Sequence, residues 1–162
     1  MVVWVVVASK HGSTREIAKA MAEELLAAGH HASVRDADEV ESFDGADAVV
    51  LGSAVYAGHW LKPARQLADA RADELAARPT WLFSSGPIGD PPMPQDADPE
   101  GIAAVSDATK ARAHEVFAGK LDRELLTRPE RLMVRALRAP EGDFRDWSAI
   151  RGWARGIADE LG

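Results

Sequence analysis

The chain has 162 residues, 46% of them hydrophobic, which is enough apolar material for one domain with a real core. It has no cysteine, so thiol catalysis, disulfides and cysteine-bound metals are excluded. The formal net charge of −7 argues against nucleic-acid binding by the chain as a whole and suits a cytoplasmic protein. We expect no signal peptide, since a strand-length apolar run follows Met1 directly, and no membrane span.

The first segment predicts a buried strand that leads into an anion-binding turn. Val2–Val7 is apolar without alternation, which is typical of a central strand covered on both faces of a parallel sheet. A turn of small and hydroxyl residues follows, and Arg15–Ala28 then has the spacing of an amphipathic helix. The free amides and the dipole of a helix N-terminus favour a bound anion. We therefore predict a phosphate site formed by Ser9, His11, Gly12, Ser13 and Thr14.

The composition of this turn indicates which kind of phosphate it holds. A dinucleotide site needs the glycines of G-x-G-x-x-G, and only Gly12 is present. A triphosphate loop places its lysine after the last glycine, whereas Lys10 precedes Gly12. One terminal phosphate remains, held by hydroxyls and amides, with Lys10 and Arg15 left in solvent. A second interpretation stays open, in which Ser13 and Glu16 form a capping box and the hydroxyls only cap the helix.

The rest of the chain alternates between strand and helix patterns. The predicted strands are His31–Arg35, Ala46–Ser53, Thr80–Ser84 and Glu115–Ala118. The predicted helices are Leu61–Ala77, Glu100–Ala111 and Trp147–Leu161, and Ser85–Pro99 is a loop by its glycine and proline content. This alternation predicts an α/β three-layer sandwich, in which helices cover both faces of a five-stranded parallel sheet of order 2-1-3-4-5. We expect one domain over residues 1–162.

In such a sheet the ligand lies beyond the carboxyl ends of the strands. The loop after the third strand supplies Ser53, Ala54, Val55, Tyr56, Ala57 and Gly58. The loop after the fourth strand supplies Ser84, Ser85, Gly86, Pro87 and Gly89. Small residues let a flat ring approach the backbone, and Tyr56 or Trp60 could stack on it. Packing explains Trp60 better, whereas both roles stay open for Tyr56. The five histidines are scattered, so we expect no metal site.

Several of these motifs resemble those of a known family. Ser9–Thr14 looks like the flavodoxin phosphate loop, [ST]-x-[TH]-G-[NSQ]-[ST], and Val49–Ser53 with Tyr56–Trp60 resembles the second flavin loop. Val116–Leu121 and the Asp146–Trp147 opening of the last helix extend the similarity. The chain resembles the flavodoxin-domain family that contains the bacterial menaquinone-dependent protoporphyrinogen dehydrogenases. The resemblance implies a flavodoxin-like fold and non-covalent FMN, with its phosphate in the first loop and its isoalloxazine between the other two.

A segment at about 121–146 exceeds what a minimal crossover needs. Thr127–Glu130 has the pattern of a capping box, and the predicted helix after it carries Arg131, Arg135 and Arg138 on one face. Such a basic amphipathic helix could lie on a membrane surface or dock an anionic, lipophilic substrate. It could equally be a solvated helix that covers the sheet edge.

The resemblance and the site residues together lead to one predicted function and one alternative. We expect an FMN-binding oxidoreductase that passes electrons from a reduced organic substrate, with a porphyrinogen among the candidates, to a quinone-like acceptor. Tyr56-Ala57 stands where porphyrinogen-oxidising members tend to show an Arg-Tyr pair. The alternative is a soluble electron carrier that serves a redox partner protein. The expected partners are a small molecule or quinone and no nucleic acid, with membrane association and a homodimer left open.

Overall fold

The computed structural model describes residues 1–10, 12–56, 58–86, 99, 101–118, 120–121, 142–143 and 145–162. Its strands are β1 (Val2–Ala8), β2 (His31–Asp36), β3 (Ala48–Tyr56), β4 (His59–Trp60), β5 (Thr80–Ser85), β6 (His114–Phe117), β7 (Lys120–Leu121) and β8 (Gly142–Asp143). Its helices are α1 (Ser13–Ala27), α2 (Lys62–Ala70), α3 (Ala72–Ala76), α4 (Ile102–Thr109) and α5 (Trp147–Leu161), with a 3-10 turn at Ala37–Glu39.

The main sheet has the predicted topology. Five parallel strands lie in the order β2-β1-β3-β5-β6, which is the order 2-1-3-4-5 when only the predicted strands are numbered. The sixth strand of this sheet, β4, pairs antiparallel with the end of β3 and was not predicted. A separate antiparallel pair, β7 and β8, was not predicted either.

The unbroken apolar run of β1 is explained by helices on both faces of the sheet. Val3, Val5 and Val7 belong to the apolar cluster under α1 and α5, whereas Trp4 and Val6 belong to the cluster under α2 and α3. All five side chains are buried. Since alternate residues of a strand point to opposite faces, a strand buried on both sides needs apolar residues throughout.

Ion pairs hold α5 against α1 at the end of α1 far from its N-terminus. Arg151 donates hydrogen bonds to the carboxylates of Glu23 and Glu24 at 2.9 and 3.1 Å, and Arg155 donates to Glu24 at 3.0 Å. The Arg155 guanidinium, followed by that of Arg151, holds the pKa of Glu24 below its usual range. These pairs therefore add stability that depends on an ionised Glu24.

The single helix predicted over Leu61–Ala77 is wrong, because the chain leaves helical geometry at Arg71 (φ −120°, ψ 26°) and forms two helices. The second of them is held by tertiary contacts. The carboxylate of Glu74 accepts the Phe43 amide at 3.0 Å and the Ser42 hydroxyl at 3.1 Å. The bond from the Phe43 amide is the main cause that lowers the pKa of Glu74. This loop contact sets the position of α3.

Part of the predicted segment at about 121–146 lies outside the described residues. The capping box Thr127–Glu130 and the arginines Arg131, Arg135 and Arg138 are among those positions, so their helix and its membrane contact stay predictions. In the described part of the chain, no helix is both long and apolar enough to cross a membrane. That the whole chain forms one domain also stays a prediction.

Candidate cofactor site

The first turn of α1 lacks the side-chain cap that the sequence allowed. Helix α1 begins at Ser13, and its N-cap is Gly12 in the left-handed region (φ 86°), where a side chain would be strained. The Gly12 amide donates to the Ser9 hydroxyl at 3.1 Å. The capping box of Ser13 and Glu16 is wrong, because the Glu16 carboxylate turns instead to Arg145 at 2.7 Å. Among the described residues, the amides of Ser13, Thr14 and Arg15 have no acceptor, so they can bind an anion.

Thr14 has a buried hydroxyl that could bind a ligand. Its residue is 1% exposed, and its hydroxyl is the one buried side-chain polar atom without a hydrogen-bond partner among the described residues. A buried hydroxyl without a partner costs about 1–3 kcal/mol. A hydroxyl donor and free amides at one helix N-terminus match the oxygens of a phosphate.

The two basic residues of the first loop contact other side chains of the protein. Arg15 forms an ion pair with Asp36 at the end of β2, which corrects the expectation that it is free in solvent. Lys10 is exposed, as expected, and its Nζ lies 5.9 Å from the centroid of the Tyr56 ring. The contact of Lys10 with Tyr56 brings the first and second loops together.

The second loop is a tight hairpin that joins β3 to β4. Tyr56, half-buried, pairs with His59, and the turn between them contains Gly58 at φ +80°. The buried Ser53 hydroxyl donates to the Ala54 carbonyl at 2.8 Å and accepts the Leu61 amide at 2.9 Å. Ser53 therefore shapes this hairpin through backbone bonds. Ala54 and Val55 precede the turn on β3, and Ala57 lies outside the described residues.

The third loop starts from a hydrogen-bonded chain of three side chains. The Trp60 indole donates to the buried Ser84 hydroxyl at 2.8 Å, and Ser84 lies 2.7 Å from Nε2 of His114. Trp60 is buried, which confirms packing as its role. Ser85 ends β5, and the Gly86 amide donates to the Phe117 carbonyl at 2.8 Å. His114 was missed by the sequence analysis, since nothing in its neighbourhood indicates a polar contact across the sheet.

The sheet register brings the three loops to one edge. Ala8 pairs with Ser53 and Ser53 with Ser84, so β1, β3 and β5 reach their carboxyl ends side by side. Neighbouring strands are about 4.8 Å apart, which places the three loops within about 10 Å of one another. The predicted site residues His11, Pro87 and Gly89 lie outside the described residues.

This geometry agrees with what comparison with known proteins shows. The family model for the flavodoxin domain matches residues 4–148. The chain belongs to the flavodoxin-domain family. A protein named protoporphyrinogen IX dehydrogenase (quinone), from Escherichia coli strain K12, is 23% identical over 164 aligned residues, which cover 93% of this chain and 91% of that protein.

Solved structures confirm the fold. A flavodoxin from the domain Archaea superposes with a TM-score of 0.65 at 17% identity, covering 99% of both chains. The rubredoxin oxygen:oxidoreductase of Desulfovibrio gigas superposes with a TM-score of 0.66 at 14% identity, covering 99% of this chain and 36% of that one. The predicted flavodoxin-like fold is therefore confirmed.

FMN is the cofactor that membership of the flavodoxin-domain family implies. The first turn of α1 fits its phosphate, because among the described residues the buried Thr14 hydroxyl has no partner and no side chain caps the helix. The other two loops, which the sequence predicts to border a flat ring, meet the first loop at the same edge of the sheet. FMN carries one terminal phosphate, which agrees with a loop that has neither dinucleotide nor triphosphate spacing.

Proposed function

We propose that this protein is an FMN-dependent oxidoreductase that passes electrons from a reduced organic substrate to a quinone-like acceptor. The observation that carries the FMN half of this proposal is the buried hydroxyl of Thr14, which has no partner in the described part of the chain, at a helix N-terminus that no described side chain caps. The enzymatic half is supported by the curated relative, whose name states a dehydrogenase that uses quinone.

The first loop holds the phosphate in this proposal. The hydroxyls of Ser13 and Thr14 and the free amides of the first turn bind its oxygens, and Ser9 contributes by accepting the Gly12 amide. We also assign His11 to this site, because it belongs to the motif Ser9–Thr14. The site does not need a lysine or an arginine on the phosphate, because hydroxyl groups and backbone amides at a helix N-terminus can donate hydrogen bonds to its oxygens.

The other two loops position the isoalloxazine. We assign one side of the ring to Ser53–Gly58 and the other to Ser84–Gly89. The hydroxyls of Ser53 and Ser84 already have protein partners, so they act by fixing the loop backbone. FMN itself supplies the electron transfer when bound, and the protein tunes it through hydrogen bonds and nearby rings. Tyr56 is the aromatic residue best placed to border the ring.

A soluble electron carrier is the second candidate. It is favoured by structural matches to flavodoxins over almost the whole chain. It is also favoured by Tyr56-Ala57, which replaces the Arg-Tyr pair that porphyrinogen-oxidising members tend to show.

Electron transfer to two kinds of acceptor separates the candidates. The FMN-loaded protein is reduced without oxygen and mixed either with a water-soluble quinone or with cytochrome c. The enzyme proposal predicts rapid oxidation by the quinone and multiple turnovers once protoporphyrinogen or another reduced organic donor is supplied. Rapid oxidation by cytochrome c with no reaction toward quinones would favour the carrier. A chain that binds no FMN would overturn both.

A further inference from the structure

Arg145 is a buried cation at the first turn of α1. It lies two residues before the start of α5, and its side chain is 4% exposed. Its guanidinium donates to the Glu16 carboxylate at 2.7 Å and to the Ser13 carbonyl at 3.3 Å. Its Cζ also lies 4.6 Å from the centroid of the Trp147 ring. A residue far along the chain thus fixes the charge at the turn assigned to the phosphate.

Glu16 places a negative charge beside the proposed phosphate, which the Arg145 cation can offset. Its carboxylate sits in the first turn of α1, 54% exposed, where a bound phosphate would meet a second negative charge. An anion in the first turn stabilises an empty helix, since it interacts with the positive end of the dipole. The same anion opposes a bound phosphate. A cation hydrogen-bonded to Glu16 removes most of that repulsion.

We propose that Arg145 is a positioning residue that neutralises Glu16 and so sets the affinity of the α1 N-terminus for the FMN phosphate. This inference rests on the proposed function, because it needs a phosphate at that turn. It predicts how FMN affinity ranks among the parent chain, the two single variants and the double variant. Arg15 is paired with Asp36 and is the same in every variant, so the change comes from the Glu16–Arg145 pair. Removing Arg145 adds one negative charge to the parent turn, removing Glu16 adds one positive charge, and removing both restores the parent charge.

Flavin affinity measures this order. The full chain and its variants are loaded with FMN or riboflavin and diluted, and the fluorescence of released flavin gives each dissociation constant. Arg145→Gln is expected to weaken FMN binding by about two- to fivefold, the range of a charge near a helix terminus. Glu16→Gln is expected to tighten it by about threefold, and the double variant to return within about twofold of the parent chain. Riboflavin binding should not change, since it has no phosphate.

Arg151→Gln is the matched control. Arg151 also joins α5 to α1 by ion pairs, but it contacts Glu23 and Glu24 in the later turns of α1. Its loss should lower the melting temperature and leave the FMN-to-riboflavin affinity ratio unchanged. The effects at Arg145 and Glu16 should also shrink as salt rises, because ions screen such charges.

Four results would overturn the inference while the parent chain still prefers FMN. They are an unchanged affinity ratio in Arg145→Gln, an equal loss of riboflavin binding, no rescue by the double substitution, and no tightening in Glu16→Gln. If Arg145→Gln does not fold, the exposed Glu16 variant and Arg145→Lys decide, since Lys keeps the charge and should keep most of the affinity. A parent chain without preference for FMN would refute the phosphate site itself, and the inference with it.

Discussion

Replacing Thr14 by valine should move cofactor affinity and protein stability in opposite directions. Valine keeps the β-branched shape and removes only the hydroxyl, which is buried and has no partner within the described residues. If that hydroxyl serves the FMN phosphate, its loss removes a hydrogen bond to a charged group. Such bonds contribute about 1.5–3 kcal/mol, so FMN affinity should fall by about 10- to 150-fold.

The unliganded protein should gain stability from the same substitution. Relief of an unsatisfied buried hydroxyl is worth about 1 kcal/mol or more, which raises the melting temperature by about 2–4 °C in a chain of this size. Thr109→Val is the matched control, because Thr109 is equally buried and its hydroxyl donates to the Val105 carbonyl at 2.8 Å. That variant should lose stability and keep its FMN affinity.

Two assays decide the Thr14 prediction. Flavin release on dilution gives the affinities for FMN and riboflavin, and thermal unfolding without flavin gives the stability. The reasoning is refuted if Thr14→Val melts at a lower temperature while its FMN affinity is unchanged. That pattern would mean that the hydroxyl has a structural partner and that the turn needs no phosphate.

Three further predictions concern other hydrogen bonds and ion pairs of the structure. Ser9→Ala removes the acceptor of the Gly12 amide and should weaken FMN binding about tenfold, with little change in riboflavin binding, in the same release assay. Ser84→Ala removes the acceptor of the buried Trp60 indole and should lower the free energy of unfolding by about 1–3 kcal/mol, measured by denaturant unfolding. Replacing Trp60 by Phe in that variant should restore part of the loss. Glu24→Gln should lower the melting temperature at neutral pH, because two arginines of α5 depress the folded-state pKa of Glu24. A depressed pKa gives stability that is present above the unfolded value of about 4.3 and lost as pH falls through the folded value, so the parent and the variant should converge in acid.

The main sheet and the helices that cover it could be predicted from the sequence, because local patterns determine them. An apolar run without alternation at Val2–Val7 requires cover on both faces, and the strand and helix alternation leaves few topologies. The motif at Ser9–Thr14 predicts a phosphate site, and the structure supports that prediction with a buried Thr14 hydroxyl that has no partner among the described residues.

What the sequence could not show depends on contacts between distant residues. Ser13 and Glu16 have the spacing of a capping box, yet Arg145 takes the carboxylate of Glu16 from more than a hundred positions away. The helix that begins after the break at Arg71 also has a distant partner, since Glu74 accepts hydrogen bonds from a loop that precedes β3. The local sequence pattern of either segment does not indicate a partner so far along the chain. The hairpin that joins β3 to β4 was missed because two-residue strands are too short to give an alternating pattern.

The affinity ratio of the parent chain for FMN and riboflavin tests the central claim most directly. The two flavins differ only in the terminal phosphate, so the ratio isolates what the first turn of α1 contributes. Two or more hydrogen bonds to a charged phosphate predict FMN binding at least about 100-fold tighter than riboflavin binding. Equal affinities would contradict the account, because they would mean that the first turn of α1 and the Thr14 hydroxyl, which has no partner among the described residues, do not bind the phosphate.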